Sequence, residues 1–251
     1  MWRCPMTLNN AVLPPAVSPP AVTPAGHAPL FIPAWSPWPV GSLLIVIDTE
    51  TTGLPKDPDV RPIQVGAVAF DTQYGKEVAE FRLLLNPDVW ASGYREAQKV
   101  HGISKQRCEK HGAGMSAGWD KFMSWMQTLC MTGPWRNGSH RLAAWNSAFD
   151  REMLARWRAA AKGRGVEPQL PVWPEFSVHG AAASNGCLQA AWRGGLAQQG
   201  REVPRYGALK AALACFDLPP RPEPHDAVTD ARMAGHVWWA MESRHRRLTR
   251  A

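Results

Sequence analysis

Leu43-Leu44-Ile45-Val46-Ile47-Asp48-Thr49-Glu50-Thr51-Thr52-Gly53-Leu54 is the stretch on which the fold turns. Its first five residues are an unbroken, partly β-branched apolar run of the kind that makes a buried strand. Two carboxylates follow, two positions apart. Strand geometry sends residues i and i+2 to one face, so Asp48 and Glu50 point the same way. Like charges side by side at the end of a buried strand are costly unless a cation neutralises them. Hard divalent ions prefer carboxylate oxygen, which makes Mg²⁺ or Mn²⁺ the natural occupant. Gly53 permits a sharp turn just beyond. The chain carries its own control: Asp57 and Asp59 are also two apart, but they lie among Pro55, Pro58 and Pro62. That context marks a solvated loop rather than a strand end.

Outward from this strand, residues 63–70 and 76–86 read as two further strands, together a meander opening a mixed sheet. Ser116 is placed to cap a helix in which Trp119, Phe122, Met123, Met126 and Leu129 form one apolar face. Residues 140–145 read as a buried strand, followed by a helix with Phe149, Met153, Leu154 and Trp157 on one stripe. Such stripes are core packing. Residues 162–205 are punctuated by Gly and Pro and yield no organised pattern. A helix over 206–216 is stopped by Pro219 and Pro220, and a last helix runs from Ala227 to about Arg244.

Residues 1–40 differ from the rest. They are rich in proline, contain no Asp or Glu, and have Arg3 as their one basic residue. Proline fixes φ and denies an N–H, so this segment is expected to be an extended or disordered tail, with residues 41–251 as the folded domain. The alternative for the tail is a tether to a partner. Over the whole chain of 251 residues, Lys and Arg exceed Asp and Glu by seven (28 against 21). A basic balance favours polyanions, nucleic acid first. The five cysteines, at 4, 108, 130, 187 and 215, have no C-x-x-C spacing, so neither a disulfide framework nor a cysteine zinc site is indicated. A reducing, cytoplasmic setting fits this usage. No apolar run reaches the ~18 residues of a membrane span, and no signal-peptide order is present.

Two further clusters carry chemistry. In Asn146-Ser147-Ala148-Phe149-Asp150, a strand gives way to a helix bearing Asp150; alone, that residue reads as a surface carboxylate. In Pro224-His225-Asp226-Ala227-Val228-Thr229-Asp230, Asp226 is placed as a helix N-cap, Asp230 stands on the helix, and His225 stands in the loop before it. The imidazole of His225 titrates near neutral pH and can take a proton from water. Alone, it reads as a structural or surface histidine.

In this order, D-x-E after a strand, N-x-x-F-D, and H-x-A-x-x-D, the three clusters resemble the exonuclease motifs of the DnaQ-like, DEDDh family. The segment Glu96 to Ser104 resembles a family segment between the first two motifs. The resemblance spans roughly residues 43–244. It implies an α/β, ribonuclease H-like fold with a mixed five-stranded sheet flanked by helices. It further implies a 3′→5′ exonuclease using two divalent ions, Mg²⁺ or Mn²⁺, held by Asp48, Glu50, Asp150 and Asp230, with His225 as general base. Thr51, Glu96, His101 and Asn146 would contact the terminal nucleotide. For Glu96 and His101 the alternative is a helix-surface carboxylate and a helix-capping imidazole. Two departures stand out. Trp145 replaces the His that many relatives have before the Asn, which bears on the nucleotide pocket rather than the metal residues. The interval from Asp150 to His225 is long, which places an insertion near 161–205.

The expected partner is the 3′ end of single-stranded nucleic acid, DNA favoured and RNA the alternative, with no membrane. A short stretch beyond the last helix gives no indication of a polymerase docking segment, so a free-standing exonuclease is expected over a proofreading subunit. A non-catalytic nucleic-acid-binding module is disfavoured because all five site residues are present.

Overall fold

A computed structural model describes residues 41–131, 133–136, 140–161, 187–198, 200–203, 209–222 and 224–249. The expected tail therefore lies outside the described residues, as does most of the 162–205 interval.

Five strands form one mixed sheet in the order β4-β3-β2-β1-β5. They are β1 (Leu43–Thr51), β2 (Pro62–Asp71), β3 (Glu77–Asn86), the two-residue β4 (Ala113–Gly114) and β5 (Arg141–Ala143). The β1–β2 and β2–β3 pairs are antiparallel, as short connections require, while β5 joins β1 and β4 joins β3 in parallel. Both β1 and β2 are buried along nearly their whole length. Their continuous apolar runs are what a strand covered on both faces needs.

Helices cover the two faces, and the alternation of β1 decides which side chain meets which. They are α1 (Tyr94–His101), α2 (Lys105–His111), α3 (Met115–Met131), α4 (Ser147–Ala161), α5 (Leu188–Gln198), α6 (Leu209–Cys215) and α7 (Ala227–Thr249). Leu43, Ile45 and Ile47 pack with Phe122, Met126, Leu154 and Trp157 of α3 and α4. Leu44 and Val46 pack on the other face with Trp192, Leu213, Val228 and Trp238 of α5, α6 and α7.

Three expectations change. α3 starts at Met115, directly after β4, so Ser116 lies inside its first turn and does not cap it. The five apolar residues expected on its buried face are all buried. α7 runs on to Thr249, past Arg244; in this added stretch Arg246 donates to the Glu242 carboxylate at 2.8 Å and to the Thr72 carbonyl at 2.8 Å, which ties the helix end to the loop after β2. Within the interval assigned to an insertion, α5 places Leu188, Ala191, Trp192 and Leu196 in the core. Gly194 and Gly195 hide it in the sequence, since each glycine costs a helix interior about 1 kcal/mol, and burial of Trp192 outweighs them. Among the described residues, no helix is long and apolar enough to cross a membrane.

Candidate active site

Asp48 and Glu50 continue the even-numbered series of β1, so they face α7, the helix that carries Asp230. Thr49 continues the odd-numbered series and faces α4, where its hydroxyl donates to the buried Asp150 carboxylate, Oγ1 to Oδ1 2.9 Å. The middle residue of the D-x-E motif thus holds the carboxylate of the second motif.

α7 comes unusually close to the sheet. Gly66 on β2 pairs with Asp48, and a Cβ at Gly66 would lie 2.3 Å from the Ala227 carbonyl carbon and the Val228 nitrogen. Only a glycine there lets the start of α7 settle beside Asp48. Asp226 caps the helix as expected: its Oδ1 accepts from the Thr229 N–H at 3.1 Å and the Thr229 hydroxyl at 2.9 Å. Gln64, the β2 partner of Glu50, donates to Asp226 Oδ2 at 3.0 Å and accepts from the Ala227 N–H at 3.1 Å. Arg82 donates to the same Asp226 oxygen at 2.6 Å. The loop bearing His225 is therefore tied to the strand next to the one bearing Glu50.

The result is a cluster. One ligand atom each from Glu50, His225 and Asp230 lies within 4.8 Å of the others. Asp48 keeps some open surface, but its carboxyl is packed round by protein. That confinement, with the charges of Asp150, Glu50 and Asp230, pushes its pKa well above the ordinary value. Burial, with Asp230 and Asp150 nearby, raises Glu50 to about 7. Burial likewise raises Asp150 to about 7, against the hydrogen bond from Thr49. Carboxylates this crowded reject their own negative charge, and a hard divalent cation relieves that. The donor set, carboxylate oxygens and one imidazole, fits Mg²⁺ or Mn²⁺.

A cation from the chain itself is already present. The Arg221 guanidinium forks onto Asp230, Nε to Oδ1 2.6 Å and a terminal nitrogen to Oδ2. Sequence reasoning missed it; its only signal is an arginine between prolines four residues before His225. Gln64, Thr49 and Gly66 were missed as well, because each acts through a partner distant in sequence.

Of the residues expected at the nucleotide, Thr51 and His101 meet at the end of β1. Thr51 is buried, its hydroxyl donating to the Gly53 carbonyl at 2.7 Å. His101 is buried at the end of α1. Its Nδ1 accepts from the Ile103 N–H at 3.0 Å, so Nε2 carries the proton and donates to the Thr51 carbonyl at 3.2 Å. Burial lowers its pKa, against the Thr51 contact. Glu96 is exposed in the first turn of α1 and pairs with Lys99 at 2.8 Å. Asn146 is exposed at the start of α4, its carbonyl accepting from the Phe149 N–H at 2.9 Å. Trp145 turns into the core, its ring 5.9 Å from that of Trp192. Asp57, in contrast, stays in its loop, its carboxylate accepting from the backbone of Asp59 and Ser92.

Residues 45–134 match a family model, RNase_T, described as exonuclease. The match takes in the first motif and the Glu96–Ser104 segment and stops before the second motif. No curated protein matches the chain in sequence. Among solved structures, cell-death related nuclease 4 is similar, with a TM-score of 0.60 and 15% identity over 81% of this chain and 65% of its own. The nuclease domain of 3′hExo, a DEDDh family member bound to rAMP, gives 0.60 and 17% over 84% of this chain and 94% of its own. E. coli exonuclease I in complex with a dT13 oligonucleotide gives 0.57 and 17% over 83% of this chain, which spans 42% of that protein. The fold is the ribonuclease H-like one expected, and the exonuclease family model matches over residues 45–134, the part of the chain that holds the first motif.

Proposed function

We propose that this chain, exonuclease-like in its matched segment and ribonuclease H-like in its fold, is a metal-dependent 3′→5′ exonuclease that releases nucleoside 5′-monophosphates from the 3′ ends of single-stranded DNA. One observation carries the proposal: carboxylates from β1, α4 and α7 gather with His225 about one strand end, where burial raises Asp48, Glu50 and Asp150 and repulsion from neighbouring carboxylates adds to the first two. Glu50, Asp230, Asp48 and Asp150 would hold two divalent ions. Bound there, the ions would supply the positive charge that activates the attacking water and stabilises the departing 3′-oxygen.

The chain's own residues do the rest. An imidazole nitrogen of His225 takes the proton of the attacking water. The loop that carries it is fixed by the Asp226 cap and the Gln64 and Arg82 contacts, which holds the base in register with Glu50. Thr49 keeps the Asp150 carboxylate turned to the strand end. Thr51, Asn146 and Glu96 contact the terminal nucleotide, Glu96 exchanging its Lys99 partner to do so. Both ring nitrogens of His101 are engaged within the chain, so it acts by setting the Thr51 backbone that floors the nucleotide site.

Digestion of matched 5′-labelled and 3′-labelled single-stranded DNA and RNA with Mg²⁺ or Mn²⁺ tests this. The 5′ label should shorten stepwise, the 3′ label should leave at once as a mononucleotide, and DNA should be cut faster. Internal cleavage, or full activity of the purified protein in EDTA, would overturn the proposal; faster cutting of RNA would replace its substrate.

A further inference from the structure

We propose that Arg221 is a built-in counter-cation of the metal site, which holds Asp230 in the metal-free protein and competes with the divalent ion for it. The inference rests on the metal-dependent function proposed above.

The geometry is that of a ligand already engaged. The Asp230 side chain is 3% exposed and that of Arg221 19%, so little solvent competes for either. Both carboxylate oxygens accept from the guanidinium. A two-pronged arginine–carboxylate pair is among the stronger hydrogen-bonded ion pairs in proteins. Yet an oxygen of Asp230 is also within 4.8 Å of ligand atoms of Glu50 and His225. The same oxygens cannot be given wholly to a guanidinium and to a cation, since two positive charges would share one small carboxylate.

Charge accounts for the arrangement. Asp48, Glu50, Asp150 and Asp230 together carry four negative charges when ionised. Arg221 acts electrostatically on Asp48 and Glu50 as well as on Asp230. It therefore offsets part of the repulsion in the metal-free state. The Pro219-Pro220-Arg221-Pro222 run fixes φ on both sides of the arginine, so the backbone delivering it is stiff. Release of Asp230 thus needs rotation of the Arg221 side chain rather than rearrangement of the segment. With divalent ions bound, the carboxylates would be balanced without Arg221, and its guanidinium would be a surplus positive charge at the site.

Mn²⁺ binding to the full, metal-stripped chain, measured by calorimetry at pH 8 without nucleic acid, tests the competition. Arg221→Ala and Arg221→Gln should bind Mn²⁺ about tenfold or more tightly than wild type, because no internal cation need be displaced. Arg221→Lys should fall between, since an ammonium lacks the guanidinium fork. In EDTA, Arg221→Ala should melt below wild type, and Mn²⁺ should raise its melting temperature by more. Equal or weaker Mn²⁺ binding by folded Arg221→Ala or Arg221→Gln overturns the inference, because Arg221 would then support Asp230 as a ligand; it leaves the exonuclease proposal standing. Failure of wild type to bind Mn²⁺ at all removes both.

Discussion

At the residue scale, the crowding of carboxylates has consequences that can be measured without substrate. Glu50 titrates at about 7 in the metal-free fold, above its ordinary 4.5. Between those values the folded protein keeps a proton that the unfolded chain has lost, so this contribution to stability falls as pH rises through the window and is flat above it. His101 works the other way: burial lowers its folded pKa below 6.5, so acid favours the unfolded chain. The difference between wild type and Glu50→Gln in EDTA isolates the first effect. Urea unfolding should show Glu50→Gln gaining on wild type from pH 4.5 to 7, and a difference independent of pH would show that Glu50 is not perturbed. His225→Ala should lower kcat by about 10²–10⁴ if the imidazole is the general base. Mn²⁺ affinity separates its two possible duties, since His225 is also within reach of Glu50 and Asp230 as a ligand. A change of less than a few-fold fits the base; a loss of tens of fold makes it a ligand.

At the scale of elements, the site depends on how closely one helix approaches one sheet. α7 brings Asp230 and the His225 loop onto β1 only because Gly66 leaves room for the Ala227–Val228 backbone. In Gly66→Ala the new methyl meets main chain, which cannot rotate aside, so overpacking should cost about 1–3 kcal/mol and move the start of α7 away from Asp48. Denaturant unfolding and Mn²⁺ affinity should both worsen. If Gly66→Ala is as stable as wild type and binds Mn²⁺ equally well, the approach is looser than 2.3 Å implies. Local sequence made the Asp226 cap before Ala227 and the Trp119–Leu129 face legible, but not the start of α3, where Ser116 lies inside the helix. The contacts between elements were not. Gln64 reaches Asp226 across 162 positions, and Thr49 reaches Asp150 across 101. No spacing rule signals a partner that far away.

For the whole molecule, metal binding and folding should be linked. A divalent ion that binds the folded site and not the unfolded chain stabilises by about 2.7 kcal/mol per site at one hundred times its Kd. At pH 8, above the values of about 7 for Glu50 and Asp150, Mg²⁺ or Mn²⁺ should raise the melting temperature, and Asp48→Ala should abolish the rise while keeping a folded protein. We further propose residues 41–251 as the catalytic unit. Residues 1–40 have Arg3 as their only Lys, Arg, Asp or Glu, too little charge to hold a phosphate backbone. Deletion of residues 1–38 should leave turnover unchanged, and a folded but inactive truncation would refute that division.

The sequence by itself determined the strand that starts the fold, the five residues of the motifs, the order in which they come, and the alternation that turns Asp48 and Glu50 to one face. These are local properties: apolar run length, strand period and helix-cap chemistry are all written within a few residues. Tertiary structure alone decided that Thr49 holds Asp150, that Gln64 ties His225's loop to β2, that α5 belongs to the core despite Gly194 and Gly195, and that Arg221 stands against Asp230. Each of those depends on which surfaces the folded sheet brings together. A side chain's partner across the sheet is fixed by packing in three dimensions, and nothing in its own neighbourhood along the chain encodes it.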